Sequence, residues 1–256
     1  MWGPYLVEPK DKVGQWGQRS LEIFRELAQD PATGVRLTSG IEASRTAEAA
    51  REWATTLPGF QPCERAELPA GFTVGYRFTV PLIGMPTYLD YLLRRLRDAG
   101  SAVEQRGLTS LSDAGPVSAI VNCAGHGARG LVPDSDLRPI RGQHVVVTSP
   151  GLTDFFSEDT GLSPDLLCFY PHGDTVVLGG TAIDGRRSGL PIAPSDENQV
   201  RECSASGALP DRLSAQPVRC SHGNGRHRAP ECQQLDRCVI KSHVQGAATK
   251  LEDWRV

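Results

Sequence analysis

A chain of 256 residues, 39% hydrophobic and 22% charged, suits one large domain or two small ones and has an ordinary globular balance. Its formal net charge of −3 gives no reason to expect nucleic acid or an anionic membrane as partner. No run approaches the roughly 20 apolar residues that cross a bilayer.

The opening residues, Met1-Trp2-Gly3-Pro4-Tyr5-Leu6, carry neither the basic stretch nor the apolar core of a signal peptide. A cytoplasmic protein is therefore expected, with its seven cysteines reduced rather than built into a disulfide framework. From Gln15 to Ala28, the spacing of Trp16, Leu21, Ile23, Phe24 and Leu27 predicts a helix that Pro31 and Gly34 end. Gly34 to Gly40 alternates like a strand, Ile41 to Pro58 is charged and loosely helical, and Gly75 to Pro81 alternates again. The clearest helix runs from Pro86 to Asp98, with Tyr88, Leu89, Leu92, Leu93 and Leu96 on one stripe and Gly100 after its end. Ala102 to Gly107 reads as a short strand, and Ser118 to Ala124 as a buried strand entering a glycine-rich turn. Arg141 to Thr148 begins another strand. Leu166 to Pro171 and Asp174 to Thr181 read as a hairpin across Pro171-His172-Gly173. Helices mixed with local hairpins and a helix-linked strand indicate a mixed α/β fold.

The texture changes near Arg201. Beyond it there is no Phe or Tyr, and Ser, Gly, Arg, His and Cys dominate. Such a segment buries too little apolar area to offset its ordering entropy, so a poorly ordered tail is expected, with a short helix near Leu235 to Val239.

Gly125-His-Gly127-Ala-Arg-Gly130 has the G-x-G-x-x-G spacing after a strand. It could bring backbone N–H groups to a phosphate or ring, or serve only as a tight turn, since Leu131-Val-Pro-Asp does not read as a following helix. Cys220, His222, His227, Cys232 and Cys238 are zinc-ligand types, but their spacing is not that of the paired ligand sites, and no metal site is assigned. His126, His144 and His172 have no nucleophile motif beside them and read as surface or turn histidines. No paired carboxylates stand out.

Five segments, in order, resemble the FAD-dependent D-amino-acid oxidase family: Trp2-Gly-Pro-Tyr-Leu6, Met85-Pro-Thr-Tyr-Leu89 with its helix, Val121-Asn-Cys-Ala-Gly-His-Gly-Ala-Arg129, Arg138-Pro-Ile-Arg-Gly-Gln143, and Tyr170-Pro-His-Gly-Asp-Thr-Val-Val-Leu-Gly-Gly-Thr181. The resemblance covers about residues 1 to 200. It implies part of an FAD-binding, Rossmann-like domain (1–31 and 86–148) interleaved with a substrate domain of antiparallel or mixed sheet (32–85 and 149–200), followed by an unrelated tail (201–256). It implies FAD as cofactor and a small D-amino acid as substrate. The Cα–H would pass as hydride to the flavin, the imino acid would hydrolyse, and oxygen would give peroxide. It places Trp2, Leu108, Ala124 and Gly125 at the cofactor, and Tyr5 and Cys168 at the substrate.

The departures from the family pattern suggest a chain truncated at both ends. Members open with a strand, a glycine-rich turn and a helix that cradle the pyrophosphate, and they carry a late G-x-R-P arginine for the substrate carboxylate. Neither is matched here. Cys168 stands where members usually have a tyrosine whose hydroxyl bonds that carboxylate, and a thiol is a weak donor. A non-catalytic remnant of such an oxidase is the alternative reading.

Overall fold

The structure, a computed structural model, describes residues 1–4, 10–46, 49–132, 137, 139–159, 165–181, 183–184 and 234–238. Helix α1, Lys10–Leu27, starts earlier than its apolar periodicity does. Its first turn is polar and holds Asp11 at the positive end of the helix dipole, so the start carries no apolar signal.

Strand β1, Val35–Ser44, continues well past Gly40. It pairs antiparallel with β3, Val74–Ile83, and parallel with β6, Phe155–Glu158. A strand bonded on both sides claims Ile41 and Ala43 for the core. The helical character expected over Ile41 to Pro58 is therefore confined to α2, Glu52–Thr55. Gly40 has a packing reason: a Cβ there would fall on the carbonyl oxygen and ring of Phe155.

The hairpin forms as expected from β7, Asp165–His172, and β8, Thr175–Thr181. Its two-residue turn is Gly173-Asp174, with Gly173 at φ 68°. With β2, Gln61–Pro62, and β5, Val145–Thr148, these strands make one mixed sheet in the order β2-β3-β1-β6-β7-β8-β5.

One face of this sheet carries Ala43, Phe156, Leu167, Phe169, Val176 and Leu178 beneath Leu68 and Phe72. The other carries Phe78, Val80 and Phe155 beneath Leu21 of α1 and Ala54 and Leu57 around α2. The core thus lies on both sides of the sheet, which is why β6 is buried at all four positions and shows no alternation in sequence.

Further expectations change. Arg141 to Thr148 is not one strand: β4, Pro139–Gln143, pairs with β9, Ile183–Asp184, in a second sheet, while β5 joins the large one. His144, at the crossing between sheets, is buried rather than superficial. Residues 101–124 form no strand, and Val121 and Ile120 are 79% and 46% exposed. A strand must satisfy its N–H and C=O groups through a partner, and among the described residues none pairs there. The segment near Leu235 is strand β10, Gln234–Cys238, antiparallel to β4, because pairing supplies backbone bonds that its weak apolar pattern could not secure as a helix.

Helix α3, Met85–Asp98, ends before Gly100 as expected, with Gly100 at φ 75°. Its apolar stripe is only partly covered: Tyr88 meets Phe24 edge-on, while Leu89 and Leu96 remain half exposed. Among the described residues no helix is long and apolar enough to cross a membrane.

Candidate active site

Cys168 lies in the middle of β7, directly opposite Ser157 of β6 and Gly179 of β8. Side chains alternate along a strand, so Cys168 shares a face with Tyr170, and its register partner Ser157 shares that face with Phe155. The thiol is buried, and so is the Ser157 hydroxyl. Tyr170 is half-buried, and its Oη lies 3.1 Å from Ser157 Oγ. The Tyr170 ring also packs against Phe155.

Trp2 reaches the same apolar cluster as Tyr170. Its backbone N–H donates to Pro81 O at 2.8 Å, its indole N–H donates to Ser20 Oγ at 2.9 Å, and its ring meets Trp53 edge-on. Trp2 therefore joins α1 to β3 as well as bordering this face. Tyr5 lies outside the described residues.

Leu108, Ala124 and Gly125 belong to a different part of the surface. Leu108 is 39% exposed, and Ala124 and Gly125 are exposed at the end of the irregular segment. Gly125 has φ 55°, a left-handed geometry that favours glycine. The turn does run into helical turns, Gly125–Gly127 and then α4, Ala128–Leu131, which the sequence pattern did not suggest. Ala124 and Gly125 have small side chains and accessible backbone, the local features that contact with a flavin nucleotide would need, and a Cβ at Gly130 would meet open space. The structure brings Trp2 and Cys168 to one sheet face but does not bring Leu108, Ala124 and Gly125 to it.

Charged groups flank the strip on both sides. Glu42 of β1 is in register with Ser157 and with Tyr76 of β3. Burial, reinforced by the nearby Asp159 carboxylate and opposed by Arg51, pushes its carboxyl up to about 7. Arg51 is held by Asp159 through bonds of 2.6 and 3.0 Å. At the far end of β7, burial lowers His172 to about 4, with the Arg36 charge adding to the effect. Arg36 donates from Nε to Thr38 Oγ1 at 3.2 Å, and burial lowers its own pKa.

A cleft of about 380 Å³ lined by Ile41, Leu68, Arg77, Leu152, Phe156 and Phe169 lies on the opposite sheet face. Arg77 there is already paired with Asp154 at 3.0 Å and Glu67 at 3.3 Å, so it is poorly placed to receive another carboxylate. Among the described residues no group of three or more metal-ligating side chains assembles; the His and Cys positions from 220 to 232 fall outside them.

Sequence reasoning missed Ser157, Tyr170 and Glu42. Tyr170 was findable, because two residues from Cys168 on a strand means the same face. Ser157 and Glu42 were not, since each depends on which strands become neighbours.

The architecture is a mixed α/β fold built on one large mixed sheet. It is similar to the crystal structure of glycine oxidase from Geobacillus kaustophilus, with a TM-score of 0.62 over 82% of this chain and 65% of that one, at 15% identity. In sequence, the family model for FAD dependent oxidoreductases (DAO) matches residues 1–233. The chain is 44% identical over 207 residues to a D-amino-acid oxidase of Rubrobacter xylanophilus, covering 80% of this chain and 63% of that protein. It is 39% identical over 243 residues to a D-amino-acid oxidase of Streptomyces coelicolor, covering 94% and 73%. This chain belongs to the DAO family of FAD-dependent oxidoreductases. It spans under two thirds of the length of the Rubrobacter relative.

Proposed function

We propose that this protein oxidises D-amino acids with FAD, giving imino acids that hydrolyse to 2-oxo acids and ammonia while oxygen becomes hydrogen peroxide. The observation that carries this reading is the 44% and 39% identity to two D-amino-acid oxidases across most of the chain. FAD, when bound, accepts the electron pair and passes it to oxygen.

The protein's own residues bind and orient. Trp2, Leu108, Ala124 and Gly125 hold the cofactor, the last two through accessible backbone. Cys168 borders the substrate, and the buried strip around it keeps water away; Tyr5 is assigned to the substrate by the family resemblance alone, since it lies outside the described residues. In this reading 1–31 and 86–148 form the cofactor part, and 32–85 and 149–200 the substrate part. Val145–Thr148 is the exception to that division: it pairs with β8 and goes with the substrate part. We place the protein in the cytoplasm, a reading supported by the reduced thiols of Cys63 and Cys123.

Oxygen uptake by the chain supplied with FAD tests the activity, using D- and L-forms of neutral and acidic amino acids. Uptake with D-forms alone is expected. Equal uptake with L-forms, or none with any D-form, would overturn the reading.

A further inference from the structure

We propose that the cleft lined by the Arg65–Glu67 turn and the Gly151–Asp154 loop binds a small organic amine, with its ammonium group at Asp154 and its apolar body against Leu152, Phe156 and Phe169. The site lies on the sheet face opposite Cys168, and the inference does not depend on the oxidase reading.

Size and lining come first. The cleft encloses about 380 Å³, and small-molecule sites run from roughly 300 to 1,000 Å³. Its apolar lining is Ile41, Leu68, Leu152, Phe156 and Phe169. Ile41 and Leu152 are partly buried and pack on the fully buried cluster that holds the other three. The Phe156 and Phe169 rings stack with centroids 5.8 Å apart. Such a surface accepts a hydrocarbon or aromatic body.

The walls are held before any ligand arrives. Glu64 and Glu67 close a reciprocal cap on the Arg65–Glu67 turn. In the loop, the N–H groups of Gly151 and Leu152 both donate to Ser149 Oγ at 3.2 Å. Arg77 of β3 joins the two segments, donating to Glu67 at 3.3 Å and to Asp154 at 3.0 Å.

Charge then selects the ligand. The charged side chains lining the cleft are Glu67, Arg77 and Asp154, two carboxylates to one guanidinium. The Glu64 N–H and Arg77 hold Glu67 below the usual carboxylate range, so it is ionised at neutral pH. Those same bonds engage both of its oxygens. Asp154 offers the more open acceptor: Arg77 takes Oδ2, whereas Oδ1 faces Thr153 Oγ1 at 3.3 Å, and the side chain is 55% exposed. An ammonium group has three donors and no acceptor, which suits this surplus of acceptors. A carboxylate on the ligand would be repelled, so the class is an amine without one.

The test titrates 2-phenylethylamine and 3-phenylpropanoate into the 256-residue chain by calorimetry. Ala66 is exposed in the wall of the cleft, so Ala66→Trp fills the space without entering the core. Binding that this change removes is assigned to the cleft. The amine should bind there and the phenylpropanoate should not. Asp154→Asn should weaken the amine roughly three- to fivefold, as suits an exposed charge pair. No amine binding, amine binding that survives Ala66→Trp, or equal binding of the carboxylate in the cleft would overturn the proposal. Should Ala66→Trp fail to fold, as read by its urea midpoint, Asp154→Asn decides alone, and unchanged amine affinity would overturn it.

Discussion

Replacing Glu42 by Gln should change how stability depends on pH, and the size of the change follows from where the carboxyl sits. Glu42 is mostly enclosed on β1, and burial first, then the Asp159 carboxylate, raise it from its ordinary 4.5 to about 7. Between those values the unfolded chain has released this proton and the folded chain still holds it. Stability is therefore fully present below pH 4.5 and falls as pH rises towards 7. At about 1.4 kcal/mol per pH unit, the whole interval corresponds to about 3 kcal/mol. Glutamine keeps the shape and has no charge to bury, so the substituted protein should gain over the original across this window and hold a constant advantage above it. His172 acts in the opposite sense. Burial lowers it from 6.5 to about 4, so its contribution is present above 6.5 and lost as pH falls towards 4. The two slopes offset each other in the original protein between about 4.5 and 6.5, which is why the difference between the two proteins, and not either profile alone, isolates Glu42. Urea denaturation at pH 4.5, 5.5, 6.5 and 7.5 supplies that difference. Parallel profiles would refute the argument and mean that the carboxyl ionises freely at neutral pH.

Other outcomes follow from the same contacts. Gly40→Ala should destabilise the sheet by at least about 1–3 kcal/mol in denaturant titration, because the new methyl meets the Phe155 backbone and ring, which cannot both move away. Glu158→Gln should cost roughly 1–3 kcal/mol, because the buried carboxylate accepts from both Arg45 Nε at 2.8 Å and Leu167 N at 3.0 Å; a loss below about 0.5 kcal/mol would contradict its structural role. Thiol labelling of the native protein should modify exposed Cys123 before Cys63, whose thiol is pushed up by burial and by Glu67, and before buried Cys168. Mass spectrometry of peptides over a labelling time course checks that order.

The fold was legible where pattern and local chemistry agree. Helix α3, with a proline in its first turn and a glycine after its end, and the β7–β8 hairpin around Gly173 both appear close to where the residues suggest. Legibility failed where tertiary pairing decides. The apolar run Ser118 to Ala124 has the composition of a buried strand, yet it is exposed and lacks a ladder partner among the described residues. Conversely, Phe155–Glu158 is only four residues long and ends in Ser and Glu, so no pattern announces it, yet it sits between β1 and β7 at the centre of the sheet. The site divides the same way. Cys168 could be singled out from one segment of sequence, and Tyr170 by alternation from it. The Ser157 hydroxyl that holds Tyr170, and the Glu42 carboxyl beside it, come from strands whose adjacency no local pattern encodes.

Product analysis tests the central claim most directly. The chain supplied with FAD and oxygen is given D-alanine, and pyruvate, ammonia and hydrogen peroxide are measured together. The three are expected in equal amounts from D-alanine, and none from L-alanine. Oxygen consumption without pyruvate, or products formed equally from both enantiomers, would contradict it.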